Sequence, residues 1–294
     1  MQVINKKQGL FSFVSTKLRL YTSKSYISFR IRNFQWYFVK QWMKSIDFHF
    51  DKNIKVKLYT ERELSKLIYC NHFEKDEFSF MEHYIKPGFV VYDIGANIGL
   101  HSLYLSYMVG PNGRCYSFEP TKATFESLNE NVKLNRFTNI ETLNLALSDK
   151  EEILQIYKST NGYDAWNSLG GFQKIGHNQY DLENVTCIPL DRFLVLYPQV
   201  KHPDFIKIDT EGWELHVLRG AYNLLKNDSP LIMMEYAQRN LNLTNTKQSD
   251  LYDYLTALGY KLYKYDYKKD CFDPIMRNEV FEYINIIASK SILH

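Results

Sequence analysis

Apolar positions along this chain change their spacing several times, and each change marks an element. Ile27, Ile31, Phe34, Phe38 and Trp42 recur every three or four residues, which places them on one face of a helix with Arg30, Arg32, Lys40 and Lys44 elsewhere around it. Thr60-x-x-Glu63 looks like a capping box opening a helix through Tyr69. Residues 77–85 make another short helix, which Pro87-Gly88 stops. The spacing then switches. Phe89, Val90, Val91, Tyr92 and Ile94 form a short aromatic and β-branched run broken only by Asp93, the signature of a buried strand. Further strands are predicted at residues 114–118, 140–146, 153–157, 185–189, 205–209 and 230–234, and near 260–265 and 280–287. Helical spacing fills 100–108, 122–134, 191–196, 213–219 and 250–258. Strands alternating with helices predict an α/β domain with a largely parallel sheet. The N-terminal 85 residues precede it as a basic tail and helical extension, so the expected division is 1–85 and 86–294.

The turn after the first strand of this core, Gly95-Ala96-Asn97-Ile98-Gly99, is where chemistry is expected. Gly95 and Gly99 lack a Cβ, so the backbone bends sharply and a ligand can come close, with the N–H groups of the helix start expected to face the same opening. The next strand ends in Glu119, a carboxylate placed for a ribose hydroxyl pair. A dinucleotide fingerprint would read G-x-G-x-x-G, its middle glycine making room for pyrophosphate. Here the pattern is G-x-x-x-G with Asn97 inside it, and Asp93 adds an anion that would repel phosphate but suits an ammonium or a sulfonium. A nucleoside cofactor with a ribose, an amino acid head and a sulfonium, S-adenosyl-L-methionine, meets all of these conditions. Ala146, Leu147 and the turn after them lie on the same edge, where backbone can meet the base ring. Two more strands end in acids there, at Asp209 and Glu235.

Composition narrows the picture. The chain is 45% apolar and 23% charged, as a globular protein is, and no run reaches the roughly 18 apolar residues that span a bilayer. Its four cysteines, Cys70, Cys115, Cys187 and Cys271, show no C-x-x-C spacing, which points to neither a zinc clip nor a disulfide framework and favours a reducing, cytoplasmic location. Charge is uneven. Residues 1–46 hold nine Lys or Arg and no acid, so the remainder carries 27 basic against 33 acidic residues. Such an end can contact an anionic membrane from a peripheral position, or its helix can pack on the domain; packing is the commoner use of an amphipathic helix.

VVYDIGANIG at 90–99, SFEPTKATFESLNENVKLN at 117–135, LALSDKEE at 145–152 and FIKIDTEGWELHVLRGA at 205–221 together resemble the FkbM family of methyltransferases. The resemblance covers residues 78–237 and implies a class I methyltransferase fold, a Rossmann-like, mostly parallel sheet of seven strands with the last antiparallel. It also implies S-adenosyl-L-methionine as cofactor and, for many members, a hydroxyl of a sugar, glycan or secondary metabolite as acceptor. The family's motif positions fall on Asp93, Gly95, Asn97, Gly99, Glu119, Asp209, Glu211 and Gly212.

Methyl transfer to oxygen needs alignment and a proton acceptor. Glu235 and Glu211, where an acceptor would enter, are preferred over His216, one turn into the following helix. No metal site is read: Asp209 and Glu211 could coordinate Mg²⁺, yet two acids flanking a turn are as often a hydrogen-bonded helix entry. His101 is expected on a helix flank as a packing residue. Regular periodicity lapses from Ser159 to Asn184, and there Tyr163, Asp164, Trp166 and Asn167 combine aromatic faces with hydrogen-bonding groups suited to a carbohydrate ring. Two other readings stand beside this one. A nucleic-acid methyltransferase would use the basic N-terminus as an arm, but the core is acidic and lacks N-P-P-[YF] or D-P-P-Y. A non-catalytic cofactor-fold protein would anchor a partner or a membrane through residues 1–46.

Overall fold

The computed structural model describes residues 26–70, 74–159, 167–170 and 180–293. The chain divides into two compact units, one of residues 1–46 and 58–73 and the other of residues 47–57 and 74–294, so 47–57 and 74–85 go with the larger unit rather than with the extension.

Helix α1 (Tyr26–Trp42) is followed by strands β1 (Ser45–His49) and β2 (Lys55–Tyr59), which pair as a two-stranded sheet, and then by α2 (Glu63–Tyr69). The N-terminal region is therefore not wholly helical. The hairpin rests on period-two alternation: Val56 and Leu58 are fully buried while Lys55, Lys57 and Tyr59 between them are not. Thr60 is no helix cap either. Its hydroxyl donates to the Met43 and Lys44 carbonyls at 2.8 and 3.2 Å, and α2 starts at Glu63, after Arg62, which gives it no side-chain cap. The face of α1 is also turned from the expected one. Trp36 and Val39 are buried at 4% and 2% exposure, whereas Phe34, Phe38 and Trp42 stand 66%, 39% and 79% exposed.

The larger unit runs α3 (Lys75–Tyr84), β3 (Val90–Ile94), α4 (Leu100–Val109), β4 (Arg114–Phe118), α5 (Lys122–Asn135), β5 (Ile140–Leu143), β6 (Ala146–Leu147), β7 (Glu152–Ser159), β8 (Tyr180–Ile188), α6 (Leu190–Leu196) and β9 (Phe205–Ile208). It continues with α7 (Glu214–Gly220), α8 (Tyr222–Asn227), β10 (Leu231–Glu235), α9 (Gln238–Leu241), α10 (Gln248–Ala257), β11 (Lys261–Asp266), β12 (Cys271–Pro274) and β13 (Asn285–Ser289). The main sheet has the order β12-β11-β13-β10-β9-β3-β4-β5. Strands β10, β9, β3, β4 and β5 are parallel, and β13 inserts antiparallel between β10 and β11, as the class I methyltransferase fold requires. An eighth strand, β12, pairs antiparallel at the edge beyond the expected seven. Tyr92, Phe118, Phe193, Ile206, Ile232 and Met234 belong to the main core, each no more than 2% exposed.

Beside β3 the chain leaves in two directions, to β4 on one side and β9 on the other, and a crevice opens at the carboxyl ends of strands where order reverses in this way. The third parallel strand stops at Leu143 instead of Ala146. Asn144 Nδ2 donates to the Glu119 and Pro120 carbonyls at 2.9 and 2.8 Å, turning the chain so that Ala146 and Leu147 pair with β8 in a separate three-stranded sheet.

Candidate active site

The glycine turn is shaped by crowding. Gly95 has φ +85°, and a Cβ there would lie 1.8 Å from the Asp209 carbonyl oxygen. At Gly99 a Cβ would lie 2.3 Å from Leu128 Cδ1. The amides of the turn are all committed. Gly95 and Ala96 both donate to the Phe118 carbonyl at 3.0 Å, Asn97 to Glu119 Oε2 at 3.1 Å, Ile98 to Asn97 Oδ1 at 2.7 Å and Gly99 to the Ala96 carbonyl at 2.9 Å. The expectation that backbone N–H groups face a ligand therefore rests on the helix start from Leu100 onward and not on the turn itself. A phosphate would find no unspent donor among the amides of residues 95–99.

Acids supply the polar groups instead. Asp93 is fully buried; its Oδ2 accepts from the Ser102 hydroxyl at 2.5 Å, and its Oδ1 has no hydrogen-bond partner among the described residues. Glu119, 6% exposed, accepts from the Thr121 amide and hydroxyl at 2.9 and 2.6 Å and from the Asn97 amide at 3.1 Å. Three of roughly four acceptor positions are thus filled, which leaves room for one further donor. Burial pushes the Glu119 carboxyl up to about 7 against the pull of those three donors. If a ribose hydroxyl takes the remaining position, S-adenosylhomocysteine affinity is expected to strengthen by up to about tenfold between pH 6 and 8 as the group ionises. Glu119→Gln should flatten that dependence and Glu119→Ala should weaken binding several-fold; calorimetry finding the wild-type profile in Glu119→Gln would remove this role.

At the next strand end, Lys207 is 2% exposed and its Nζ donates to Asp209 Oδ2 at 2.9 Å. Burial alone would lower its pKa; Asp209, then Glu77, Asp93 and Glu74, outweigh that and hold it well above the ordinary lysine value. Glu214, 1% exposed, accepts from the Thr210 amide, the Thr210 hydroxyl and the Gly212 amide at 3.0, 3.0 and 3.1 Å, which fixes the Asp209-Thr210-Glu211-Gly212 turn. Carboxylate oxygens of Asp209, Glu211 and Glu235 lie within 4.8 Å of one another. Asn240 Nδ2 bridges the last two, at 2.6 Å to Glu211 Oε2 and 3.0 Å to each Glu235 oxygen. Burial raises Glu211 and Glu235 well above the usual carboxylate range, and the neighbouring acids raise them further. Such a trio can hold a divalent cation, although Lys207 and Asn240 already donate into it.

A second group of acids lies near Lys207. His101, 7% exposed, stacks on Phe78 with centroids 4.9 Å apart, and its Nε2 lies 3.1 Å from Glu74 Oε2 and 2.9 Å from Glu77 Oε2. Asn285 Nδ2 donates to Glu77 Oε1. Burial and Lys207 oppose the charge on His101, yet the two glutamates carry it to about 9. It is a buried ion-pair member rather than a flank residue.

His216 does not join the acids. Its ring stacks on Trp213 at 3.8 Å, burial lowers its pKa, and the charges it senses are Asp149, Arg219, Lys150 and Glu152. Ala146 and Leu147 are buried at 4% and 3%, their side chains committed to packing. Tyr163, Asp164 and Trp166 lie outside the described residues. Asn167 is half-buried, and the Ser168 hydroxyl beside it donates to the Glu211 carbonyl at 2.7 Å, so this part of the segment meets the acidic turn. Sequence reasoning does not single out Lys207, Glu214 or Asn240. A lone lysine inside the apolar run FIKI is a signal for the first; for Asn240 there is none, since its partners are distant in sequence.

The methyltransferase FkbM domain matches residues 93–262, more than half of this chain, and the chain belongs to that family of S-adenosyl-L-methionine-dependent methyltransferases. Methyltransferase 1 of Beauveria bassiana is 27% identical over 44% of this chain and 57% of its own length. Hexuronic acid methyltransferase AglP of Haloferax volcanii is 29% identical over 50% of this chain and 56% of its own length. The chain thus spans little more than half of either relative. The crystal structure of methyltransferase FkbM from Methylobacillus flagellatus is similar with a TM-score of 0.42 at 14% identity, over 76% of this chain and 54% of that one. S-adenosyl-L-methionine suits the residues present: a turn without phosphate donors, Asp93 Oδ1 buried and unpartnered, and acids at the ends of β4 and β9.

Proposed function

We propose that this protein transfers the methyl group of S-adenosyl-L-methionine to a hydroxyl of a sugar or glycan. The observation that carries the reading is the carboxylate trio at the ends of β9 and β10, next to the glycine turn. Bound cofactor would supply the electrophilic methyl, and Asp93, Glu119 and Asp209 would hold its polar groups. A hydroxyl attacking that methyl must give up its proton as the C–O bond forms. Glu211 or Glu235 is a better acceptor for it than an ordinary carboxylate, because crowding and burial raise basicity. Kinship to a hexuronic acid methyltransferase supports a carbohydrate acceptor without naming it.

The test is turnover of S-adenosyl-L-methionine with a panel of neutral and acidic sugars, glycans and RNA. Methylation of sugar hydroxyls supports the reading; methylation of RNA alone replaces it. Glu235→Gln and Glu211→Gln are expected to lower kcat by about 10²–10⁴ with cofactor affinity kept. If both retain full turnover while His216→Ala abolishes it, the histidine is the base.

A further inference from the structure

We infer that α1 is an interfacial helix that seats the protein on an anionic membrane surface. One side of this helix is used up inside its own unit: Trp36 packs on Tyr69 with centroids 5.2 Å apart, Arg32 Nη1 donates to the Tyr69 carbonyl at 3.4 Å, and Val39 is buried. The other side carries Phe34, Tyr37, Phe38 and Trp42, at 66%, 60%, 39% and 79% exposure. Their steps of three, one and four residues keep all four on one arc of the helix. Three of the rings touch, Phe34 to Phe38 at 5.0 Å and Tyr37 to Phe38 at 5.8 Å, and Trp42 stands one turn further along the same arc. A contiguous exposed apolar patch marks an interaction surface.

Its composition selects the partner. Aromatic rings with polar edges, Trp and Tyr above all, favour the headgroup level of a bilayer. Exposed Lys40 and Lys44 accompany the patch, and the absence of any acid in residues 1–46 leaves nothing to repel anionic headgroups. The rest of the chain carries six more acids than bases, so the basic excess of the chain lies in this end. Among the described residues no helix is long and apolar enough to cross a membrane. The helix therefore lies on the surface, rings buried at the acyl boundary and lysines among the headgroups.

The full chain is to be sedimented with vesicles of phosphatidylcholine alone or mixed with phosphatidylglycerol, at low and high salt. Binding to the mixed vesicles, weakened by salt, is expected. Combined Phe34→Ser, Phe38→Ser and Trp42→Ser should reduce partitioning at least tenfold, and Lys40→Gln and Lys44→Gln about fivefold each. Trp42→Ser alone, at the most exposed ring, should weaken it measurably. S-adenosylhomocysteine affinity, unchanged in every variant, shows that the fold is kept and separates this inference from the acceptor reading. No binding to mixed vesicles overturns the proposal, as does binding that the aromatic variants leave intact. So does a wild-type dimer in sedimentation velocity that Trp42→Ser dissociates without any vesicle binding: the face would then belong to a second copy of the chain.

Discussion

Replacing Lys207 by methionine is expected to cost about 3–5 kcal/mol, the penalty for removing one partner from a buried charge group. In Tm this is a fall on the order of 10 °C for a domain of this size. The ammonium is bonded to Asp209 and feels the charges of Glu77, Asp93 and Glu74, and no water can replace it at 2% exposure. The pH dependence is specific. Because the folded pKa of Lys207 lies above its ordinary value of 10.5, its contribution is fully present below that pH and is lost only as pH rises through the folded value. Wild-type stability should therefore owe no slope to Lys207 between pH 5 and 8. In the variant Glu74 and Glu77 keep His101, but the carboxylates lose this cation and protonation relieves them, so the deficit should be largest at pH 8 and shrink toward pH 5. A deficit that is small or independent of pH would mean that the acids do not depend on this cation.

Gly95→Ala should be at least as damaging. The new methyl would have to share space with the Asp209 carbonyl oxygen, 1.8 Å away, and that carbonyl cannot swing aside freely because the Asp209 amide donates to the Ile94 carbonyl at 2.9 Å. Positive φ adds a penalty of about 1–2 kcal/mol for any L side chain. Gly88→Ala separates the two causes: Gly88 has φ +90° and an added methyl would meet nothing within 4 Å, so it should show the strain alone. The expected result is a modest loss of Tm for Gly88→Ala with S-adenosylhomocysteine binding intact, and a large loss of both for Gly95→Ala. Equal effects would show that the contact between β3 and β9 is not what requires glycine there.

Much of this site is legible in the amino-acid sequence, and the reason is local. The strand 90–94, its turn and Glu119 form one βαβ unit whose parts are close in sequence, and Asp209 and Glu235 follow from the rule that ligands gather at carboxyl strand ends. What is not legible depends on distant partners or on a choice between equal patterns. Asn240 is silent until the fold brings it between Glu211 and Glu235. Helix α1 carries aromatic or aliphatic residues nearly all around, so periodicity offers two candidate faces; Tyr69, far along the chain, makes Trp36 the inner one. Thr60 and Glu63 satisfy a capping spacing, but two nearby carbonyls take the hydroxyl first. The β1–β2 hairpin is different, since its alternation is visible in the sequence and competes there only with the helical spacing on either side of it.

Strands β7 and β8 zip together from Glu152 opposite Cys187 to Ser159 opposite Tyr180, so the chain leaves and re-enters the ladder at adjacent points. A segment inserted at such a place can lengthen, shorten or be rewritten without displacing the sheet, because both of its ends stay where they were. Ser168, bonded to the Glu211 carbonyl and bridged to Tyr157, ties that segment to the acidic turn all the same. Selection can thus vary residues beside the acidic turn while the glycine turn is left alone. Relatives sharing the glycine turn and the acidic strand ends should consequently diverge most between the two ends of this ladder, and grafting that stretch from one relative to another tests whether it sets the acceptor.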